Sequence, residues 1–214
     1  MKAYTQSLAK CSLFIGIPEN KYPDALSYLH ARCKTFKRGE IIMHIGDEFR
    51  YAGLVLDGEI ECSYQDEAFN KYNMNHFAEG ELFGEAMACA GVESSPMQVI
   101  AVSECVIMFL DLEALMNGGE LQAKMSWNLT RMLSLKNVFM NQKVRILSTK
   151  SLRDRITAYL HTLPDHDGVV TLSFSKTALA EFLCVNRTAL SRELARMCRE
   201  GIISMNGRRF VLRQ

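Results

Sequence analysis

The sequence lacks several things, and each lack excludes a class of protein. It has no apolar run near the roughly 18–20 residues that a membrane-spanning helix needs. The N-terminus, Met1 to Thr5, leads into no apolar core followed by a small-residue cleavage site, so no secretory signal is expected. No low-complexity tract is present, which argues against disorder as the main state. The cysteines Cys11, Cys33, Cys62, Cys89, Cys105, Cys184 and Cys198 are odd in number and never take the C-x-x-C spacing. That spacing pattern does not suit a zinc, redox or iron–sulfur site and is read as reduced thiols of a cytoplasmic protein. The histidines His30, His44, His76, His161 and His166 form no grouping with a carboxylate. A metal-dependent enzyme of the cupin type, which needs such a grouping, is only a remote alternative. No metal, cofactor or catalytic residue is expected.

What is present is a chain of 214 residues with 48% hydrophobic content, enough for one or two domains with proper cores. The net charge of +1 hides an asymmetry. Residues 149–214 hold 11 Lys and Arg against 6 Asp and Glu, whereas residues 1–148 hold 14 against 18. A basic C-terminal third on a mildly acidic body suggests a polyanion-binding module.

Three patterns follow one another. Residues 1–32 read as short helices punctuated by Pro18 and Pro23, with Leu26 and Leu29 on the buried face of a helix from Asn20 to His30. Residues 33–113 read as short strands: Ile41–Ile45, Ala52–Leu56, Ile60–Tyr64, Gln98–Val102 and Cys105–Leu110. Asp57-Gly58 between two of them predicts a hairpin, and the regular spacing predicts a barrel or jelly-roll-like sandwich. Residues 119–147 then take a helical period. A heptad places Met125, Met132, Phe139 and Ile146 at a, and Leu121, Asn128, Leu135 and Gln142 at d. These eight are the expected dimer interface, because a narrow seam points to helix–helix pairing. The alternative is a helix lying on its own β domain. Ser148-Thr149-Lys150 reads as a hinge, Ser151–His161 as a further helix, Asp165–Gly168 as a turn and Val169–Leu172 as a strand.

The last forty residues carry the sharpest pattern. Ser175 caps a helix from Lys176 to Leu183, with Leu179, Phe182 and Leu183 on its apolar face and Ala180 where two helices cross closely. Cys184-Val185 makes a turn. Asn186 caps a second helix from Arg187 to about Glu200, ended by Gly201. Its inner face is Leu190, Leu194 and Met197 or Cys198; its outer face is Arg187, Thr188, Ser191, Arg192, Ala195 and Arg199. Ile202–Ser204 and Arg209–Leu212, joined through Met205–Arg208, make a two-stranded wing. This is a winged helix-turn-helix. Arginine on such a face donates a bidentate pair to guanine. The expected DNA-binding residues are Arg187, Thr188, Ser191 and Arg192, with Lys176, Arg208 and Arg209 suited to phosphate.

On these residues the sequence resembles the CRP/FNR family of bacterial transcription regulators. Val185-Asn186-Arg187-Thr188-Ala189-Leu190-Ser191-Arg192 is similar to the start of that family's recognition helix. Arg38-Gly39-Glu40 and Leu56-Asp57-Gly58 look like its cyclic-nucleotide-binding-type β-roll, and Gly80 to Glu85 resembles its phosphate-binding cassette. The resemblance implies an α+β protein: an N-terminal double-stranded β-roll sensor domain (1–118), a long dimerisation helix (119–147) and a C-terminal winged helix-turn-helix (148–214). It implies a homodimer on double-stranded DNA with a near-palindromic operator, and RNA polymerase as a partner if the protein activates. Arg187 and Arg192 match the family's two DNA-contacting arginines. The glutamate between them is Thr188, and the common turn glycine is Cys184.

The resemblance also places the effector pocket at Gly84, Glu85, Ser94, Ser95, Met140 and Asn141. Glu85 matches the ribose-holding glutamate of cyclic-AMP binders. The family's Arg-Ser phosphate grip falls on Ser95-Pro96 and its adenine-reading pair on Met140-Asn141. Without the guanidinium the charge-assisted pair is gone, so an unknown small molecule other than cyclic AMP is expected. Cysteines and histidine that hold clusters or haem in other members are not matched. A constitutive regulator with a vestigial pocket is the alternative.

Overall fold

The structure, a computed structural model, describes residues 4–65, 71–166, 168–172 and 175–212. It divides into two compact units, 1–134 and 135–214.

The first unit is a roll of two four-stranded antiparallel sheets. Its strands are β1 (Arg32–Phe36), β2 (Ile41–Met43), β3 (Ala52–Asp57), β4 (Glu59–Gln65), β5 (Lys71–Ala78), β6 (Leu82–Phe83), β7 (Gln98–Ala101) and β8 (Cys105–Leu110). One sheet runs in the order β1-β8-β3-β6 and the other β2-β7-β4-β5. The interior between them holds Phe36, Phe49, Val55, Ile60, Phe83, Met97, Val99 and Ile107. β4 and β7 alternate as a half-wet sheet does: Ile60, Cys62, Val99 and Ala101 point in, and Glu61 and Ile100 are only half-buried.

β3 and β8 do not alternate, because both faces of their sheet are covered. Val55, Cys105 and Ile107 face the roll interior, whereas Leu54, Leu56, Met108 and Leu110 enter a second core. That core is closed by α1 (Thr5–Lys10), by α2 (Tyr22–Tyr28) with the residues around them, and by the start of α4 (Glu120–Leu147). The expected helix from Asn20 to His30 is a 3-10 turn over Glu19–Lys21 followed by α2, and Leu26 and Leu29 are buried as the pattern requires.

Asp57-Gly58 is not a hairpin. β3 and β4 belong to different sheets, and the dipeptide is the corner between them. Gly58 has φ 80, and a Cβ there would meet the Glu104 carbonyl and stand 2.7 Å from the Cys105 Cβ. The Glu59 N–H donates to Ser103 Oγ at 2.9 Å, which ties this corner to the β7–β8 corner.

Helix α4 departs from the expected seam. Met125 and Leu129 are buried in the second core, with Leu121 and Met132 packed against it. Asn128 is 7% exposed, and its amide donates to the carbonyls of Leu13 at 2.9 Å and Ile15 at 2.8 Å. Ile146 is buried in the core of the second unit. These positions look inward, onto their own chain. The large apolar side chains left in solvent include Trp127, Leu135 and Val138, at 63%, 61% and 65% exposure. With 3.6 residues per turn Leu135 and Val138, both in the second unit, lie about 60° apart around the helix.

The second unit contains the end of α4, then α5 (Leu152–Leu160), β9 (Asp165–His166), β10 (Val169–Thr171), α6 (Lys176–Phe182), α7 (Arg187–Arg199), β11 (Ile203–Asn206) and β12 (Arg209–Leu212). Its sheet runs β11-β12-β10-β9, so the wing has four strands rather than two. Asp165-His166, expected within a turn, pairs with β10; Asp167 of that turn lies outside the described residues. The boundary between the compact units falls inside α4.

Each Asn128 bond is worth about 1 kcal/mol net. Asn128→Ala is expected to lower the unfolding free energy of the first unit by about 2 kcal/mol, and Asn128→Asp, which sets a carboxylate against two carbonyls, by at least as much. Chemical denaturation of the three proteins checks this; an unchanged midpoint for both variants would show that the two hydrogen bonds hold nothing.

Candidate nucleic-acid interface and sensor pocket

The helix-turn-helix is built from local backbone chemistry. Ser175 Oγ accepts the Ala178 N–H at 3.2 Å and starts α6. Asn186 Oδ1 accepts the Ala189 N–H at 2.7 Å and starts α7. Both helices end in the same way. At the end of α6, Val185 N–H donates to the Ala180 carbonyl and Cys184 N–H to that of Glu181, at 2.9 and 3.1 Å. At the end of α7, Ile202 N–H donates to Met197 and Gly201 N–H to Cys198, at 3.0 and 3.1 Å. Each is a Schellman motif, whose penultimate residue must be left-handed. Gly201 meets that demand without steric cost at φ 72. Cys184 meets it at φ 54 with a side chain attached.

The inner faces interlock through Leu179, Ala180, Leu183, Leu190, Leu194 and Met197. Arg187, Thr188, Ser191, Arg192, Ala195 and Arg199 are all exposed, on one side of α7. Lys176 is half-buried at the start of α6. Arg208 and Arg209 are exposed at the wing tip, where the Arg208 carbonyl accepts the Leu172 N–H at 2.9 Å. Phe182 stacks on Tyr159 of α5 at 4.9 Å and on Phe139 of α4 at 5.9 Å between ring centroids, with Lys143 Nζ 5.3 Å from its ring.

The sequence missed one part of this unit. Arg153 of α5 pairs with Glu193 and Glu200, on α7 and at its end, at 2.9 and 2.7 Å. Nothing in local spacing announces a contact spanning some forty residues.

In the roll, Gly84 caps α3 (Glu85–Cys89) at φ 73, and a side chain there would collide with the Phe49 ring. Glu85 is buried at 3% exposure, and Ser94 is exposed and bridges to Glu48. Ser95 is 2% exposed. Its Oγ donates to the Met97 carbonyl at 2.7 Å and accepts the Met97 N–H at 3.3 Å, so it is turned into its own loop. Met140 and Asn141 are exposed in the second unit, and the Asn141 amide donates to Asn137 Oδ1 at 2.6 Å. Besides a cleft of about 460 Å³ beside Lys21, Asp24, Glu120 and Lys124, two more open on the first unit. One, of about 440 Å³, is lined by Glu48, Arg50, Glu93 and Glu113 among others. The other, of about 850 Å³, includes His30, Cys89, Asp111, Glu113 and Thr130. His30 Nδ1 lies 3.3 Å from Asp111 Oδ2 across its mouth. Among the described residues no group of three or more His, Cys, Asp or Glu could hold a metal ion, and no helix is long and apolar enough to cross a membrane.

The cyclic nucleotide-binding domain model matches residues 33–118, and the Crp-like helix-turn-helix domain model matches residues 154–214. The chain belongs to the CRP/FNR family. It is accordingly a DNA-binding transcription regulator with a cyclic-nucleotide-binding-type sensor domain. Solved structures share this family fold. The catabolite activator protein of Thermus thermophilus is 21% identical, with a TM-score of 0.58 over 94% of this chain and 93% of its own. The c-di-GMP-responsive regulator CLP of Xanthomonas campestris is 18% identical, with a TM-score of 0.57 over 89% and 98%. CprK in complex with OCPA is 15% identical, with a TM-score of 0.66 over 88% and 91%. No curated protein sequence matches the chain significantly.

Replacing Cys184 by glycine removes the steric cost of the left-handed turn. The expected result is a gain of about 1 kcal/mol in stability, read as a higher Tm of the second unit, with unchanged DNA affinity. Cys184→Val, β-branched at the same φ, is expected to lower Tm; the opposite order of the two variants would refute the argument.

Proposed function

We propose that this CRP/FNR-family chain is a homodimeric, sequence-specific regulator of transcription that reads a near-palindromic operator and responds to a small molecule other than cyclic AMP. The observation that carries the DNA reading is the exposed row Arg187, Thr188, Ser191 and Arg192 on a helix fixed at both ends by its own capping bonds. Arginine in the first turns of such a helix is suited to guanine. Arg208 and Arg209 on the wing are suited to phosphate, which positions without specifying. Thr188 offers no carboxylate to a cytosine amino group, so the operator differs there from that of relatives carrying glutamate.

The dimer reading rests on α4. Trp127 is exposed on the part of it in the first unit, and Leu135 and Val138 on the part in the second. A dimer paired along this helix would set two recognition helices on half-sites about 34–36 Å apart. The effector reading rests on the cassette. With Ser95 bonded to Met97 and proline following it, the grip for a cyclic phosphate is missing. CLP and CprK, with c-di-GMP and OCPA in their descriptions, are precedents for effectors other than cyclic AMP on this fold. The inward-turned Ser95 equally favours the second reading, a constitutive regulator with a vestigial pocket.

Selection of duplexes from a random pool by the purified protein tests the main reading: a two-fold symmetric sequence is expected, and enrichment of none would end it. On the selected duplex, Arg187→Ala and Arg192→Ala are each expected to cost about 1–3 kcal/mol. Arg209→Ala should weaken all sequences alike and reduce the salt slope by about one. Val138→Asp is expected to yield monomers in sedimentation; a variant that stays dimeric would move the interface elsewhere.

A further inference from the structure

The apolar contacts that seat α7 are non-directional. Leu190, Leu194 and Met197 bury one side of the helix, but an oily side by itself permits some rolling about the axis. A roll of 10° carries a side chain near the helix surface by about 1 Å, enough to spoil a bidentate contact with a base edge.

One directional clamp opposes such rolling. Arg153 of α5 donates from Nε to Glu193 Oε1 at 2.9 Å and pairs through Nη1 with Glu200 Oε2 at 2.7 Å. Glu193 and Glu200 are seven residues apart, so they lie at nearly the same angle around the axis, two turns from each other. A planar guanidinium is rigid and offers its donors in fixed directions, which a lysine cannot do. The clamp is partly sheltered: the Glu193 side chain is 19% exposed, that of Arg153 30% and that of Glu200 37%. The remaining nitrogen, Nη2, is buried and has no hydrogen-bond partner among the described residues, so the group is committed to its two carboxylates. Arg196 adds a bond from Nε to the other oxygen of Glu200 at 2.9 Å. Together these bonds, that from Arg153 first, hold the Glu200 carboxyl below the usual carboxylate range. Glu193 directly follows Arg192, so whatever fixes the direction of one fixes the other.

We infer that Arg153, through Glu193 and Glu200, sets the rotational position of the recognition helix and thereby the protein's sequence discrimination, without itself touching DNA. It is a positioning residue. The inference rests on the DNA-binding reading above and adds a specificity determinant outside the exposed face.

The test uses the full-length protein and two probes: a duplex that the wild-type protein selects from a random pool, and a scrambled duplex of the same length. Arg153→Gln is expected to weaken binding to the selected duplex about tenfold and to the scrambled one by less than about twofold. Glu193→Gln should act in the same direction. The double variant should be no worse than Arg153→Gln alone, because both changes open one clamp. Equal losses on the two duplexes would reduce Arg153 to a general stabiliser or a plain positive charge, and additive losses would deny that the two residues act together. Either result overturns the inference. If Arg153→Gln does not fold, Glu193→Gln, which keeps the pair with Glu200, is judged by the same ratio of losses. A wild-type protein that selects no sequence overturns the DNA reading itself and the inference with it, whereas selection followed by an unchanged ratio in the variants overturns the inference alone.

Discussion

Leu54, Leu56, Met108 and Leu110 leave one face of the β1-β8-β3-β6 sheet, and Val55, Cys105 and Ile107 leave the other; both sets are buried. A sheet of this kind cannot end a domain. Each large apolar side chain is worth about 1.5–3 kcal/mol when covered, so the outer face demands a lid. The N-terminal helices and the start of α4 supply it. Against that gain the two Asn128 hydrogen bonds, at about 1 kcal/mol each, are small. Burial holds α4 down, and Asn128 decides which turn of the helix lies against Leu13 and Ile15. The exposed face of α4 is what this docking leaves over.

The same constraint explains what the sequence made legible. The unbroken apolar runs Ala52–Leu56 and Cys105–Leu110 were readable as strands because both faces are buried, and the alternating runs Ile60–Tyr64 and Gln98–Val102 because one is. The strands that escaped, β1, β5, β6 and β9, all lie at sheet edges, where half of the backbone is unpaired and polar side chains are tolerated. Asp57-Gly58 carried a sound local signal for a sharp turn, but no local signal says whether the chain turns back onto its own sheet or crosses to the next. The heptad is ambiguous for a related reason: Met125 and Asn128 face their own chain, whereas Leu135 and Phe139 of the same pattern are exposed. A helix that packs on its own domain and a helix that packs on a partner both repeat at about 3.5, and only the long-range contact of Asn128 with Leu13 and Ile15 separates them.

The DNA-binding end was legible nearly residue by residue because its information is local. Ser175, Asn186 and Gly201 act on backbone groups within a few positions of themselves, and the outward row follows from helical spacing once those caps are placed. The sensor end was legible mainly by what it has lost. Ser95, which the resemblance set in the place of a phosphate grip, satisfies its hydroxyl two residues away. The clamp from Arg153 to Glu193 was invisible, since neither residue is unusual in its own neighbourhood.

Helix α4 contributes Met125 and Leu129 to one core and Ile146 to the other. The boundary between the two compact units therefore falls within a helix rather than in a loop. This bears on how such regulators could exchange parts during evolution. A crossover at the loop after Leu147 would part the helix-turn-helix from side chains that complete its core. A crossover between Ser134 and Leu135 would deliver each core intact.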